Sequence, residues 1–166
     1  TLSGMSRQIR KELPGVDDLL RPNLLVPDIV EISGVKDLSR YKVIIQSDAD
    51  NVAKYLDSTG DQRLQVYVRD GGRLTIVGGA FFDDPRVDRK IRLTKLFGLG
   101  KKAIDQADGG KGAAGVRKLG PGLYLNGPGN VALVTKAAGT GTQESYRKLL
   151  QSWKVRIHLG IGSVRP

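Results

Sequence analysis

The 166-residue sequence contains no cysteine and a single histidine, His158. The lack of cysteine excludes disulfides, thiolate catalysis and every metal site that needs a cysteine ligand. A single histidine excludes metal sites that are built from several histidines. The absence of cysteine also excludes a Cys-His catalytic pair. We therefore expect no metal and no cofactor. An enzyme with this composition would depend on Asp, Glu, Lys, Ser, Thr or Tyr.

Long apolar runs and acidic charge are also scarce. The sequence has no apolar run of roughly 18 residues, so we expect no membrane-spanning segment. It begins without the charged-then-apolar profile of a signal peptide, and we favour the cytoplasm or a virion as its location. Lys and Arg (27) outnumber Asp and Glu (17), which gives a net charge of +10. Such an excess indicates a polyanionic partner or an acidic neighbouring subunit.

The length predicts one domain over residues 1–166, large enough to bury a core. Within it we distinguish an N-terminal arm or helix (1–22), an α/β core (23–98), a Gly/Lys-rich loop (99–122) and a C-terminal β-α-β part (123–166). Glycine is abundant, with 22 residues, which is well above its usual share of about 7%. Many turns or close backbone approaches are expected.

The most β-branched stretch of the chain is punctuated by glycine pairs at 71–72 and 78–79. In the interpretation that we favour, a helix over 62–69 ends at the first glycine pair. One of these glycines caps it in the left-handed conformation, and residues 74–77 form a buried parallel strand. In the alternative interpretation, Asp70-Gly71 is the tight turn of a β-hairpin, since this pair tolerates the positive φ of such turns.

The favoured interpretation predicts an α/β fold, a small flavodoxin-like three-layer sheet with an irregular Gly/Lys-rich segment. The alternative predicts a mainly β, α+β subunit with an Asp-Gly hairpin. Periodicity and turn residues indicate further elements in both cases. These are a strand at 41–46, a hairpin of strands at 123–125 and 131–135, a helix at 142–153 and a final strand at 154–159.

A family resemblance follows from the order of these motifs. The segment YKVII at residues 41–45, a short helix and then YVRDGGRLTIVGG at 67–79 resemble class I glutamine-amidotransferase-like domains, over about residues 28–100. In that flavodoxin-like family a segment of the form YV-x-x-GG-x-L-x-x-x-GG joins a helix to a central strand. Catalytic members carry a Cys on the following turn, whereas residues 78–81 here contain no Cys, Ser or Thr. The resemblance implies a non-catalytic member, and such a fold alone does not give function.

The densest basic segment spans residues 86–118, with ten Lys and Arg against three Asp, a net of +7. A flexible Gly/Lys loop beside a basic helix can neutralise phosphates without reading base sequence. The alternative is a solvated charged face next to a mobile loop. The candidate polyanion-binding residues are Arg86, Arg89, Lys90, Arg92, Lys95, Lys101, Lys102, Lys111, Arg117 and Lys118.

Carboxylates and glycines follow the predicted strands, where open α/β sheets bind ligands. Such carboxylates can hold Mg²⁺ or act as acid and base, or they can cap helices and turns. The glycines match neither the dinucleotide fingerprint nor the P-loop. The candidate ligand-binding residues are Asp48, Asp50, Gly78, Gly79, Asp83 and Asp84.

Together these features predict a non-enzymatic binding or structural subunit of a larger assembly, either a virion or a ribonucleoprotein. Its basic surface would contact a polyanion or an acidic neighbour. The expected partners are other protein subunits, with nucleic acid as a candidate and no membrane. One alternative is a self-assembling oligomeric structural protein that uses exposed strand edges. Another is a small-ligand or Mg-dependent enzyme of amidotransferase-like fold.

Overall fold

A computed structural model describes residues 34–47, 58–77, 94, 96–110, 115–135 and 139–155. Within these ranges no helix combines the length and the apolar character needed to cross a bilayer. A short 3-10 helix, Leu38–Arg40, precedes the first strand. The remaining elements are β1 Ile44–Ser47, α1 Ser58–Arg69, β2 Leu74–Val77, α2 Lys101–Asp108, β3 Val116–Gly120, β4 Leu123–Asn126, β5 Val131–Val134 and α3 Thr140–Ser152.

The five strands form one mixed sheet in the order β1-β2-β5-β4-β3. The strands β1, β2 and β5 are parallel, and Ile44, Leu74 and Val131 stand side by side at their amino ends. The strand β4 runs antiparallel to both β5 and β3. The predicted small α/β fold is therefore confirmed.

The side chains of the central strands alternate between the two faces of the sheet. Each face is apolar and is covered by helices, which gives two cores. Leu74 and Ile76 of β2 belong to a core shared with α1 and α2, whereas Val77 belongs to a core shared with α3. Burial on both faces is typical of the parallel part of an α/β sheet. On the α3 side, the hydroxyls of Thr75 and Tyr146 are 2.8 Å apart and satisfy each other in the core. The result is a three-layer arrangement.

The glycine pair 71–72 ends α1 as we predicted, in a Schellman motif. Gly71 has φ +94°, and its N–H donates to Val68 O at 3.0 Å. The N–H of Gly72 donates to Tyr67 O at 2.8 Å. These two bonds satisfy carbonyls that the last turn of a helix leaves open. The alternative of an Asp-Gly hairpin is wrong, because the chain before Asp70 is helical and the strand after it is parallel to β1.

The prediction of an irregular Gly/Lys-rich loop over 99–122 is wrong for most of that segment, which contains α2 and β3. Between its flanking glycines, α2 places Ile104 in the core beside α1 and packs Ala103 and Ala107 against it. This short apolar stripe is enough to fix a helix by tertiary contacts. The strand β3 is fixed by pairing with β4 and by burial of Val116.

The C-terminal elements follow the prediction closely. The hairpin β4–β5 is confirmed, as is the helix expected at 142–153, which begins two residues earlier as α3.

The first and last predicted strands differ from the prediction. The strand expected at 41–46 begins only at Ile44, since the 3-10 helix and an extended connection come first. In the final predicted strand, residues 154–155 are not extended into a strand, and the rest, with His158, lies outside the described residues.

Candidate functional site

A surface cleft of about 700 Å³ opens between the segment that precedes β1 and the end of α1. Tyr67, in the last turn of α1, is one of the lining residues, and its hydroxyl lies 3.0 Å from Tyr41 O and 3.2 Å from Arg73 O. We call this surface the Tyr67 cleft. It is lined by Lys36, Asp37, Leu38, Ser39, Tyr41, Lys42, Gln62, Arg63, Val66, Tyr67, Asp70, Gly71, Gly72 and Arg73.

The sheet topology places the Tyr67 cleft at the amino ends of the parallel strands. The N–H of Ile44 donates to Arg73 O at 2.9 Å, so the chain entering β1 lies beside the chain entering β2. Lys42 and Arg73 consequently line the same cleft although they are far apart in sequence. The helix α1 connects the two parallel strands, so its C-terminal end returns to this edge.

Tyr67 holds the cleft together as a neutral hydrogen-bond donor. Burial raises the pKa of its hydroxyl, and the backbone and charge of Arg73 only partly oppose this rise. The proton is therefore retained at physiological pH and is shared between the carbonyls of Tyr41 and Arg73. This places Tyr67 in a structural role, joining three segments of the cleft.

The two carboxylates of the cleft are both engaged by neighbouring donors. Asp37 accepts a hydrogen bond from Ser39 N at 2.9 Å and caps the 3-10 helix. The side-chain hydrogen bond of Ser39, then this backbone hydrogen bond and the charge of Arg40, lower the pKa of the Asp37 carboxyl. Asp70 pairs with Arg69 at 3.2 Å on the exposed surface. Each carboxylate thus has a local partner within the protein.

Four basic residues line the cleft, and its two lysines are the exposed ones. Arg63 donates to Val35 O and Arg73 donates to Trp153 O. A carbonyl orients a guanidinium without neutralising it. Lys36 and Lys42 are exposed at the rim. The lining residues thus comprise four cations and two carboxylates, a net charge of +2.

An aromatic and an apolar surface accompany these charges. The guanidinium of Arg40 lies 5.5 Å from the centroid of the Tyr41 ring, which is within the range of cation–π attraction. Tyr41 is half-buried. Val66 on α1 is 44% exposed and is one of two large apolar side chains with this exposure in the described part of the chain. The cleft therefore offers stacking and apolar contacts as well as charge.

The predicted basic surface is only partly visible, and the fold divides the part that is visible. Arg86, Arg89, Lys90, Arg92, Lys95 and Lys111 lie outside the described residues. Lys101 and Lys102 are exposed at the start of α2. Lys118 stands opposite Tyr124 on the face that α2 covers, whereas Arg117 stands opposite Leu125 on the α3 face. Proximity in sequence does not make these four residues a single patch.

Two cations of the predicted surface are already paired with carboxylates. Lys101 Nζ lies 3.0 Å from Asp105, and Lys118 Nζ lies 2.7 Å from Asp108. The same oxygen of Asp108 accepts a hydrogen bond from the Tyr124 hydroxyl at 2.6 Å. These two bonds lower the pKa of the Asp108 carboxyl, while burial and Asp108 raise the pKa of Tyr124. The cluster fastens α2 to β3 and β4.

The candidate ligand-binding residues Asp48, Asp50, Gly78, Gly79, Asp83 and Asp84 all lie outside the described residues. In sequence, Asp48 and Asp50 come shortly after β1, and Gly78 and Gly79 come directly after β2. Where the chain is described, no group of three or more His, Cys, Asp or Glu could hold a metal ion.

Comparison with protein-family models, curated protein sequences and solved structures found no match to this chain. The resemblance to class I glutamine-amidotransferase-like domains therefore stays a prediction.

The density of basic residues along the sequence indicated the segment 86–118 as the binding surface and did not indicate the Tyr67 cleft. The signal that was present is the recurrence of Lys and Arg at 36–42 and 63–73 around two tyrosines, but only the parallel pairing of β1 and β2 unites these segments.

Proposed function

We propose that this chain is a binding subunit of a larger assembly, and that it contacts a polyanion through the Tyr67 cleft. The observation that carries the proposal is the convergence of Lys36, Lys42, Arg63 and Arg73 on one cleft from two separate segments. A net charge of +10 over the chain supports the same partner class, because a basic protein attracts polyanions over distances of about 10 Å at moderate salt.

The binding mechanism is electrostatic. The arginines of the lining are held by the carbonyls of Val35 and Trp153, so the exposed lysines make the contacts with the partner. The rim lysines are free to follow the phosphates or carboxylates of the partner. Each neutralised phosphate releases counterions, which makes the affinity depend steeply on salt and little on base sequence. This is the behaviour expected of a subunit that packages or coats a polyanion.

The state of the cleft also favours binding over acid–base chemistry. Asp37 and Asp70 already accept hydrogen bonds, and the Tyr67 hydroxyl is held between two carbonyls with a raised pKa. General acid–base catalysis needs a group that exchanges a proton near the operating pH. Asp37, Asp70 and Tyr67 thus already have partners within the protein.

The proposal is tested by size-exclusion chromatography with light scattering, with and without a nucleic-acid oligomer, at low and at high salt. We expect a protein–oligomer complex at low salt that dissociates at high salt. The double variant Lys36→Gln/Lys42→Gln should bind more weakly, so that its complex dissociates at a lower salt concentration than that of the wild type. The matched control Lys101→Gln/Lys102→Gln removes the same charge from α2 and should retain it.

Three results would contradict the proposal. If the α2 variant loses the complex and the cleft variant keeps it, the basic segment 86–118 is the binding surface. If both variants bind like the wild type, the Tyr67 cleft is not the site. A salt-resistant homo-oligomer that ignores the oligomer would instead support the self-assembling structural protein.

A further inference from the structure

We infer that the Tyr67 cleft accepts a nucleotide of single-stranded nucleic acid, with its base against Tyr41 and its phosphates at Lys36 and Lys42. The inference rests on the proposed function, which requires only a polyanion, and it names the partner class. The observation behind it is that two exposed lysines, a half-buried tyrosine and an exposed apolar side chain share one cleft. The guanidinium of Arg40, which is not one of the lining residues, lies over the ring of that tyrosine.

Stacking is the first reason to choose a nucleotide. The Tyr41 ring and the Arg40 guanidinium lie 5.5 Å apart, and both are groups on which unpaired bases stack. Tyr41 is positioned by its own backbone, since its carbonyl accepts from the Tyr67 hydroxyl at 3.0 Å. Its side chain has only two torsion angles and is already half-buried, so it loses little conformational freedom when a base packs against it.

The mixture of charges is the second reason. An acidic peptide presents a carboxylate at nearly every side chain, and it would meet Asp37 and Asp70 as well as the lysines. A nucleotide places its negative charge on the phosphate alone, whereas its base is neutral and carries N–H donors that a carboxylate can accept. Lysines at the rim and carboxylates along the wall therefore suit a nucleotide better than an acidic peptide.

The exposed Val66 is the third reason, and it separates single strands from duplexes. Val66 lies in the cleft on the α1 side and gives a base an apolar wall opposite the polar rim. A duplex keeps the faces of its bases inside the stack, so it can reach only the lysines at the rim. We therefore expect a preference for single strands over a duplex of the same sequence.

The test is the binding of a fluorescently labelled single-stranded oligonucleotide, followed by anisotropy, to the wild type and to Tyr41→Ala. We expect roughly tenfold weaker binding for Tyr41→Ala, from the loss of one stacked base. Tyr41→Phe keeps the ring and should bind like the wild type. The backbone carbonyl that Tyr67 uses is present in both variants, and the thermal midpoint of each variant confirms that the fold is intact.

A competition experiment provides a readout that needs no variant. A nucleoside monophosphate should displace the labelled strand from the wild type at a lower concentration than inorganic phosphate does, because only the former carries a base. The duplex and a poly-glutamate peptide, added in the same way, should compete more weakly than an unlabelled single strand at equal charge.

The outcomes separate the inference from the proposed function. Salt-sensitive binding that is equal in the wild type and Tyr41→Ala, with the duplex as good a competitor as the single strand, overturns the nucleotide inference and keeps the polyanion proposal. Competition by poly-glutamate at least as strong as by the single strand points to an acidic protein partner and overturns the inference. The absence of all salt-sensitive binding removes both.

Discussion

Gly72 is predicted to be essential because the Tyr67 ring lies against it. A Cβ added at Gly72 would be 2.5 Å from the Cε1, Cε2 and Cζ atoms of Tyr67, whereas non-bonded carbons pack at about 3.5–4.0 Å. In Gly72→Ala the ring must therefore move by about 1 Å or more. Its hydroxyl would then leave the carbonyls of Tyr41 and Arg73.

The expected cost follows from these two effects. Overpacking of this kind costs about 1–3 kcal/mol, and the loss of the shared hydrogen bond adds about 1 kcal/mol. Replacing glycine also restricts the unfolded chain, which returns about 0.4–1 kcal/mol. We expect Gly72→Ala to lower the free energy of unfolding by about 1–3 kcal/mol, measured by urea denaturation with Trp153 fluorescence.

A double-mutant cycle attributes the cost to the Tyr67 ring. In a Tyr67→Ala background the ring is absent and only the effect on the unfolded chain remains, so Gly72→Ala should stabilise by about 0.4–1 kcal/mol. The coupling energy is then the sum of the overpacking and hydrogen-bond terms, about 2–4 kcal/mol. Gly71→Ala is the matched control. Its φ of +94° makes any side chain strained, yet no atom lies within 4 Å of the added Cβ. Its cost should be the same in both backgrounds. An equal cost of Gly72→Ala with and without the ring would refute the reasoning.

Two other contacts give further predictions. Asn130 Nδ2 donates to Val68 O at 2.9 Å and to Gly72 O at 3.0 Å, and so joins the β4–β5 turn to the end of α1. Asn130→Ala should therefore lower the free energy of unfolding by about 1–3 kcal/mol, measured by urea denaturation. A change near zero would contradict this role. Asp108→Asn should lower the free energy of unfolding at neutral pH by about 0.5–1 kcal/mol, a small value because the carboxylate is 44% exposed and such pairs are screened. Lys118 and Tyr124 lower the pKa of Asp108 from 3.8, so its stabilisation is complete above that value and is lost as pH falls through the lowered pKa. The difference from wild type should therefore disappear in acid; a difference that is independent of pH would contradict the role of the ionised carboxylate.

The region around Gly71 could be predicted from the sequence because several local signals agree there. A glycine pair follows a helical stretch and precedes a β-branched run, and each feature favours the same Schellman-capped helix and buried strand. The hairpin β4–β5 was equally accessible, since its turn residues are explicit in the sequence. In both places the structure is decided by neighbours along the chain.

The segment 99–122 and the Tyr67 cleft could not be predicted for the opposite reason. The glycine content of 99–122 favours an irregular loop, and only contacts of Ile104 and Val116 with the rest of the core make α2 and β3 regular. The cleft depends on the parallel pairing of Ile44 with Leu74. The density of basic residues along the sequence indicates 86–118 as the binding surface, whereas this pairing brings together cations that lie outside that segment.

The central claim, that the rim lysines contact the phosphates of a polyanion, is tested most directly by the salt dependence of single-strand affinity. The logarithm of the binding constant falls with the logarithm of salt concentration by about 0.7 for each phosphate neutralised on a single strand. We expect the slope of Lys36→Gln/Lys42→Gln to be shallower than that of the wild type by about 1.4, for two phosphates. A slope unchanged by this variant, in a protein that binds the strand, would contradict it.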